Sequence, residues 1–490
     1  MNSPVLLNFD FIYLDKKSNT PIYIQLVDQI INAIQRGYLH HGYRFPGTRC
    51  LSKLIKLNRN TIVKSFSELE DLGWIKIIPN KGTYVQNEAI LEKNSVKIKA
   101  GFPSKASFDF ENSELLKLEN VKDTFEFYLN DGKPDPYLSE LKLPAKIYSN
   151  ILNRKQYKNK LGASENIFFL KHFTNYINST RNLSISHSNI LITKNHEMAL
   201  QLVTKVITVP KDYIAVSEIS NFKSNMILQS NQINLIPIDI DNQGIILDDL
   251  RIKSSLKNIK AIYINTQQYP ATTALNSQRK IELLNFAKEK NCVIIEDDPD
   301  FDFYYTSRPT TPLASINNEG NIIYIGKFGN ELGDNYNFSY IIAPSDFIIE
   351  TKKHQAVYEN PIHPLVAQTI GEIINEGEIS KILRKHRKKY KERRDYFCNL
   401  LIQHFGNEIE FNFPKNGFAV WVKWKIPINL MRLKQDCEKK NLYIPQHILY
   451  QNKKITAMRI GFAHLEDNEM IAILKILQIC INKQFNKAEI

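Results

Sequence analysis

Arg59, Asn60, Thr61 and Lys64 stand close together in the chain, and their side chains are of the kinds that read duplex nucleic acid. A guanidinium or a carboxamide can hold a base edge with two hydrogen bonds, while long cationic side chains also reach phosphates. On a helix, Lys64 lies one turn beyond Asn60 and on the same side. Lys81 and Gly82 end the turn-forming string Pro79-Asn80-Lys81-Gly82, where an ammonium can reach an adjacent phosphate and the glycine permits the tight turn. The plainer alternative is that these are surface charges. A second basic run, Arg384-Lys385-His386-Arg387-Lys388-Lys389, continues in Lys391, Arg393 and Arg394. Ile382, Leu383, Tyr390 and Phe397 give it a helical period, so it reads as the solvated face of a long helix and only secondarily as a DNA contact.

Three helices and a hairpin are needed to hold the first set. Ile24, Leu26, Val27, Ile30, Ile31 and Ile34 share one helical stripe, with Pro21 suited to the first turn and Gly37 closing it. After Pro46-Gly47, Thr48 to Lys56 predicts a second, short helix. Leu57-Asn58 then forms a turn, Asn58 is the expected N-cap, and Arg59 to Gly73 predicts a third helix burying Ile62, Val63, Phe66 and Leu69. Two short β-like runs follow, Trp74 to Ile78 and Thr83 to Val85. A helix, two more helices joined by a tight turn, and a hairpin make a winged helix-turn-helix, whose last helix enters a major groove.

At 490 residues the chain predicts two or three domains. Hydrophobic residues at 43% and charged residues at 23% are ordinary for a globular protein. No stretch approaches the roughly 18–20 uncharged apolar residues of a membrane span, and the start of the chain lacks the basic-then-apolar pattern of a signal peptide. Cys50, Cys292, Cys398, Cys437 and Cys480 are scattered, form no metal-type pair and read as reduced packing residues of a cytoplasmic protein. The net charge of +13 favours an anionic partner without naming one.

The first segment resembles the GntR-type winged helix. The resemblance is carried by Arg44-Phe45-Pro46-Gly47-Thr48-Arg49-Cys50-Leu51, by Asn58-Arg59-Asn60-Thr61-Ile62, by Leu69-Glu70-Asp71-Leu72-Gly73-Trp74-Ile75 and by Lys81-Gly82-Thr83-Tyr84-Val85. It implies that Arg49, Arg59 and the wing contact operator DNA. Residues 1–88 are the expected DNA-binding domain, and the polar, lysine-rich 89–124 reads as a linker.

Beyond the linker, short β-branched runs alternate with helical segments: Ile190 to Thr193, Tyr213 to Val216, Ile233 to Ile236, Ala261 to Ile264, Val293 to Ile295, Ile322 to Ile325 and Tyr340 to Ile342. Continuous apolar strands predict an α/β fold with a mainly parallel sheet covered on both faces. The last part mixes helices with a strand at Phe418 to Val422. From about 125 to 490 the chain resembles a fold-type I aminotransferase domain, with a large part over about 155–350 and a small subdomain over about 365–490. The match rests on Leu161-Gly162-Ala163-Ser164-Glu165, Ile192-Thr193 with Met198-Ala199-Leu200, Gln268-Tyr269-Pro270, Ile295-Glu296-Asp297-Asp298 and Met458-Arg459-Ile460-Gly461-Phe462-Ala463, in this order. Behind a GntR-type winged helix, this is the architecture of the MocR/GabR regulators.

In that fold pyridoxal phosphate needs a lysine for its imine, an acid on its pyridine nitrogen and a cup for its phosphate. The resemblance puts Asn330 at the lysine position, within Gly326-Lys327-Phe328-Gly329-Asn330-Glu331-Leu332, and an amide forms no imine. Lys327, three residues earlier, starts from another backbone position and is expected to point elsewhere. Asn337 replaces the phosphate-pairing arginine, Asn195-His196-Glu197 replaces the phosphate cup, and Pro299 replaces a tyrosine. Glu197 and Glu331 are expected to add like charge near a phosphate. His196, Phe222, Asp297, Asn330 and Arg459 are thus the candidate residues of a vestigial or effector pocket. Asp297 stands at the pyridine partner's position and Phe222 at the stacking aromatic's, while Asp297 equally reads as a satisfied strand-end carboxylate. Arg459 fits either a structural ion pair or an anion-binding residue, since a guanidinium fork suits both.

The resemblance implies a homodimeric regulator of operator DNA, and the departures at Asn330, Asn337, His196 and Pro299 imply no covalently held cofactor and no catalytic residue, with the old cleft left to a small anionic effector or a non-covalent pyridoxal phosphate derivative. The alternative is a pyridoxal-phosphate-dependent aminotransferase fused to a DNA anchor.

Overall fold

A computed structural model describes residues 9, 12–15, 20–35, 38–86, 105–110, 113, 116, 124–154, 166–316, 319–333, 335–360 and 362–485, without the side chains of Gln35, Gln268 and Thr273. Most of the expected linker and all of Leu161 to Glu165 lie outside the described residues. The chain divides into two compact units, Met1–Phe110 and Glu111–Ile490.

In the first unit, α1 (Ile22–Gln35) buries Leu26, Val27, Ile30 and Ile34 on the stripe expected of it. α2 (Thr48–Leu54) stops short of Lys56, which takes a left-handed φ of 52°. α3 (Arg59–Asp71) starts at Asn58, whose side chain accepts the Asn60 N–H at 2.8 Å and satisfies an otherwise orphaned donor. Its buried face is Ile62, Ser65, Phe66 and Leu69. Val63 does not join it and is 46% exposed. The helical period gives the inward place to Ser65, whose hydroxyl donates to the carbonyls of Tyr23 and Thr61. β1 (Ile75–Ile78) and β2 (Gly82–Val85) pair antiparallel from Ile78 opposite Gly82, and the turn uses positive φ at Asn80 and Gly82. Phe45, Phe66, Leu69 and Val85 close one small core.

The second unit is built on a seven-stranded sheet. Its strands are β3 (Ile190–Thr193), β4 (Tyr213–Ser217), β5 (Asn234–Ile238), β6 (Ile259–Asn265), β7 (Val293–Asp298), β8 (Ile322–Phe328) and β9 (Phe338–Ile342), in spatial order β3-β9-β8-β7-β6-β4-β5. All neighbours pair parallel except β9, which runs against both β3 and β8. Apolar runs on the strands meet helices on both faces, giving two cores of the large part and a third, larger one shared with the small part. Three helices matter for the site: α4 (Ile167–Arg181), α5 (His196–Ile207) and α6 (Phe222–Ser230). The small part adds a four-stranded antiparallel sheet containing Ala419–Trp424 and Thr456–Gly461, and α7 (Glu378–Phe405). Phe127–Tyr128 pairs with Leu442–Tyr443, so the segment entering the unit is stitched to this small part rather than to the large sheet.

α7 carries the second basic run. His386, Tyr390, Arg393 and Phe397 lie inward on one helical stripe. Arg393 pairs with the buried Asp135 at 2.7 Å, and Arg387 donates to the Asp302 carbonyl at 2.5 Å while lying over the Tyr304 ring. The solvated-face reading therefore holds for only part of the run. Among the described residues no helix is long and apolar enough to cross a membrane, and no cluster of His, Cys, Asp and Glu is arranged to hold a metal.

Arg181 ends α4 at 2% exposure and is held by Asp298 and by the Tyr324 hydroxyl at 3.2 Å. Removing one partner leaves the other charge buried and alone, at a cost of about 3–5 kcal/mol. Arg181→Met is therefore expected to lower the urea stability of the second unit by that amount. An unfolding midpoint equal to that of the wild type contradicts this role.

Candidate functional site

The first unit presents Arg49, Arg59, Asn60, Lys64 and Lys81 exposed, with Thr61 and Gly82 half-buried. Arg59 Nε lies 3.4 Å from Thr48 Oγ1, so the starts of α2 and α3 adjoin and bring Arg49 and Arg59 to neighbouring positions. The Lys64 ammonium sits 3.8 Å from the centre of the Tyr23 ring, a cation–π contact that holds it on the surface of α3. Arg44 was not singled out from the sequence. Its backbone bridges Tyr84, its guanidinium lies 5.9 Å over the Tyr84 ring, and its Nε is 2.9 Å from where a Cβ on Gly82 would stand. Gly82 is thus required twice, by its φ of 128° and by the close approach of Arg44. Arg44 lies within the resembling stretch, yet nothing in its spacing ties it to a hairpin so far along the chain.

In the second unit a cleft opens beyond the carboxyl ends of the parallel strands, where such sheets place their ligands. β7 ends there in Asp297 and Asp298. Asp297 is 1% exposed. Its Oδ1 accepts from His196 Nε2 at 2.8 Å, and its Oδ2 accepts from the Tyr263 hydroxyl and from Asn265 Nδ2 at 3.1 Å. Tyr263 comes from β6, and its hydroxyl is also 2.9 Å from Ser224 of α6. His196 arrives because α5 begins immediately after β3: Asn195 caps the helix by accepting the Met198 N–H at 2.8 Å, which points the first side chain across the sheet end. Burial opposes charge on this imidazole, but the Asp297 carboxylate, its hydrogen bond and Glu197 outweigh burial and raise the pKa above 6.5.

Asp131, Asp300, Lys327 and Arg459 line the same cleft beside Asp297. Arg459 forms no ion pair among the described residues. Its Nε donates to the Asp131 carbonyl at 2.8 Å, its other arm donates to the Pro270 carbonyl at 3.1 Å, and it lies 4.3 Å over the Tyr269 ring. Burial lifts Asp300 to about 6 against the pull of Arg459 and Lys327.

The five candidate residues do not converge. Asp297 and Arg459 line the cleft, and His196 touches it through Asp297. Phe222 is 41% exposed, stacks on His447 at 6.2 Å and lines a neighbouring cavity instead. Asn330 is half-buried and not among the residues lining the cleft. Lys327 does line it, contrary to the expectation that it points elsewhere. β8 runs on to Phe328, so strand alternation sends Phe328 into the core and Lys327 into the cleft. Glu331 also departs from expectation: it is 2% exposed, and burial with Asp302 nearby raises it from 4.5 to about 8, so near neutral pH it is mainly uncharged and adds little like charge.

Residues 22–85 match the family described as bacterial regulatory proteins, gntR family. The chain joins a GntR helix-turn-helix domain to an aminotransferase-like fold. It is similar to the uncharacterised HTH-type transcriptional regulator YdeL of Bacillus subtilis (strain 168), 23% identical over 487 residues that cover 95% of this chain and 98% of the relative. The probable rhizopine catabolism regulatory protein MocR of Rhizobium meliloti is 22% identical over 412 residues, 80% of each chain. Among solved structures, the kynurenine aminotransferase of Pyrococcus horikoshii matches with a TM-score of 0.67 at 21% identity, covering 74% of this chain and 92% of its own.

That fold raises the question of whether these residues suit pyridoxal phosphate. On the expected correspondence, the start of α5 cups the phosphate and Asp297 holds the ring nitrogen at the opposite end of the cofactor. Here the two anchor points are bonded to each other, His196 to Asp297 at 2.8 Å, and both Asp297 oxygens already accept from protein donors. With His196 held by Asp297 and Glu197 acidic, the side chains at the start of α5 are a poor fit to the cofactor's phosphate.

Glu331 gives this region a pH signature. Its folded pKa of about 8 lies above the 4.5 of an ordinary carboxyl, so its contribution to folding is full below about 4.5 and is lost as pH rises through 8. Glu331→Gln is expected to flatten the decline of melting temperature across that window, its advantage over wild type growing with pH. Parallel melting curves for the two proteins contradict the assignment.

Proposed function

We propose that this chain is a cytoplasmic, homodimeric, DNA-binding transcriptional regulator of the MocR type, whose aminotransferase-like unit performs no aminotransferase chemistry. The observation that carries the reading is the complete winged helix over residues 22–85, with Arg49, Arg59, Asn60 and Lys64 exposed at the starts of α2 and α3 and Lys81 on the wing. The mechanism proposed is that of a winged helix. α3 lies in the major groove with Arg59 and Asn60 on base edges, while Arg49, Lys64 and Lys81 hold phosphates and fix the register. Thr61, half-buried, and Gly82, which lets the wing turn, complete the set. A two-fold dimer of such units reads paired half-sites. Residues 1–88 form the DNA-binding domain, 89–124 the linker and 125–490 the effector and dimerisation domain.

The loss of chemistry is supported by the His196–Asp297 bond and by Asn330 at the position expected for the imine lysine. Sensing a small anionic effector in the cleft remains open to Lys327 and Arg459, which face it together. One observation favours the alternative of a working aminotransferase on a DNA anchor: Lys327 brings an amine into the cleft. It stands against Asn330 at the expected imine position and against His196, which is held by Asp297 rather than turned to a phosphate.

The reading is tested by selecting duplexes from a random pool with the full chain. A recurrent sequence is expected to be enriched, and Arg59→Ala is expected to weaken binding to it by about 1–3 kcal/mol. A pool that shows no enrichment, or equal binding by the variant, contradicts the proposal.

A further inference from the structure

The positive charge of the second unit is concentrated in one helix. α7 holds nine Lys and Arg against three Asp and Glu, whereas the rest of residues 111–490 is close to charge balance. Three of the nine turn toward the protein. Arg393 binds Asp135, Arg387 binds the Asp302 carbonyl, and Arg394 binds Asp395 and the Pro414 carbonyl. Lys381 and Lys385 have acid partners in Glu378 and Glu140. Arg384, Lys388, Lys389 and Lys391 are exposed, and none has a carboxylate within ion-pair reach among the described residues. Lysines elsewhere in this unit are dispersed, some paired as Lys288 is with Glu319 and Lys353 with Glu350, others isolated and unpaired among the described residues, as at Lys171, Lys205 and Lys211.

Arg384, Lys388 and Lys391 follow one another at i, i+4 and i+7, so they share a stripe about 10 Å long, with Lys389 on its flank. Like charges at this spacing destabilise a helix by a few tenths of a kcal/mol per pair. A stripe of four cations with only Glu392 and Asp395 at helix-neighbour spacing, in a unit otherwise close to charge balance, suits an anionic polymer as its partner. The same chain carries a DNA-binding domain, so a duplex held there is tethered to this unit through the chain and its effective concentration is raised.

We propose that the exposed face of α7 formed by Arg384, Lys388, Lys389 and Lys391 is a second DNA site, one that binds the duplex phosphate backbone without regard to sequence. Each ammonium or guanidinium that meets a phosphate releases a condensed counterion, so the site makes binding steeply salt-dependent.

The test titrates full-length protein onto a random-sequence duplex over a range of salt concentrations, by fluorescence anisotropy. The variant R384Q/K388Q/K389Q/K391Q is expected to make the slope of log affinity against log salt shallower by about 3–4, with its thermal melt retained. K388Q/K391Q, the milder change, is expected to lower the slope by about 2 and serves if the fourfold variant fails to fold. Lysine-for-arginine exchange at Arg384 is expected to leave the slope unchanged. An unchanged slope in a folded variant overturns the α7 site while leaving the winged-helix reading intact, because Arg59→Ala tests that separately. A wild-type chain that binds no duplex overturns both. Loss of binding to phosphatidylglycerol vesicles with an unaltered DNA slope overturns the proposal in favour of a lipid surface.

Discussion

Three consecutive carboxylates, Glu296, Asp297 and Asp298, end a strand in the middle of the large sheet, all of them buried. A buried carboxylate is tolerated only if donors surround it or if it keeps its proton. Glu296 accepts from the Leu313 and Ala314 N–H groups and the Thr266 hydroxyl, yet burial still lifts it to about 7. Asp298 takes the Arg181 guanidinium and the Tyr324 hydroxyl. Asp297, on the opposite face of the strand, takes His196, Tyr263 and Asn265. Strand alternation sends these demands in two directions, so α4, α5, β6, β8 and the turn at Leu313 are all positioned by one strand end.

One of those demands bears on the proposed function. At Asp297 the protein supplies every donor, and the donor on Oδ1 comes from the helix start that would otherwise cup a phosphate. The network that makes the buried acid tolerable therefore supports the proposed loss of aminotransferase chemistry. The cleft is bordered by Lys327 and Arg459 and by Asp131 and Asp300. DNA binding resides elsewhere, in a separate unit with its own core.

Much of this was legible in the sequence. The apolar stripes of α1 and α3, the Asn58 cap and the continuous runs of the parallel strands follow from helical and strand periods alone, and they appear with boundaries moved by a few residues. Val63 was misplaced because four apolar residues suggested a wider buried face than the helix has, and a serine with two backbone acceptors took the inward position. Lys327 was misjudged because the length of β8 decides which way it points, and that length is set by pairing with β9. The His196–Asp297 bond joins residues about a hundred positions apart, and neither spacing nor composition could reveal it. The inward turn of Arg387 and Arg393 was hidden for a similar reason: their partners, Asp302 and Asp135, lie far away in sequence.

The account turns on whether any lysine forms an imine. Full-length protein can be incubated with pyridoxal phosphate, reduced with borohydride, digested and examined by mass spectrometry. No pyridoxyl adduct above background at Lys327 or at any other lysine, and no visible-range absorbance band before reduction, is the result predicted. A stoichiometric adduct on Lys327, with the matching absorbance band, contradicts the account and establishes the cleft as a cofactor site.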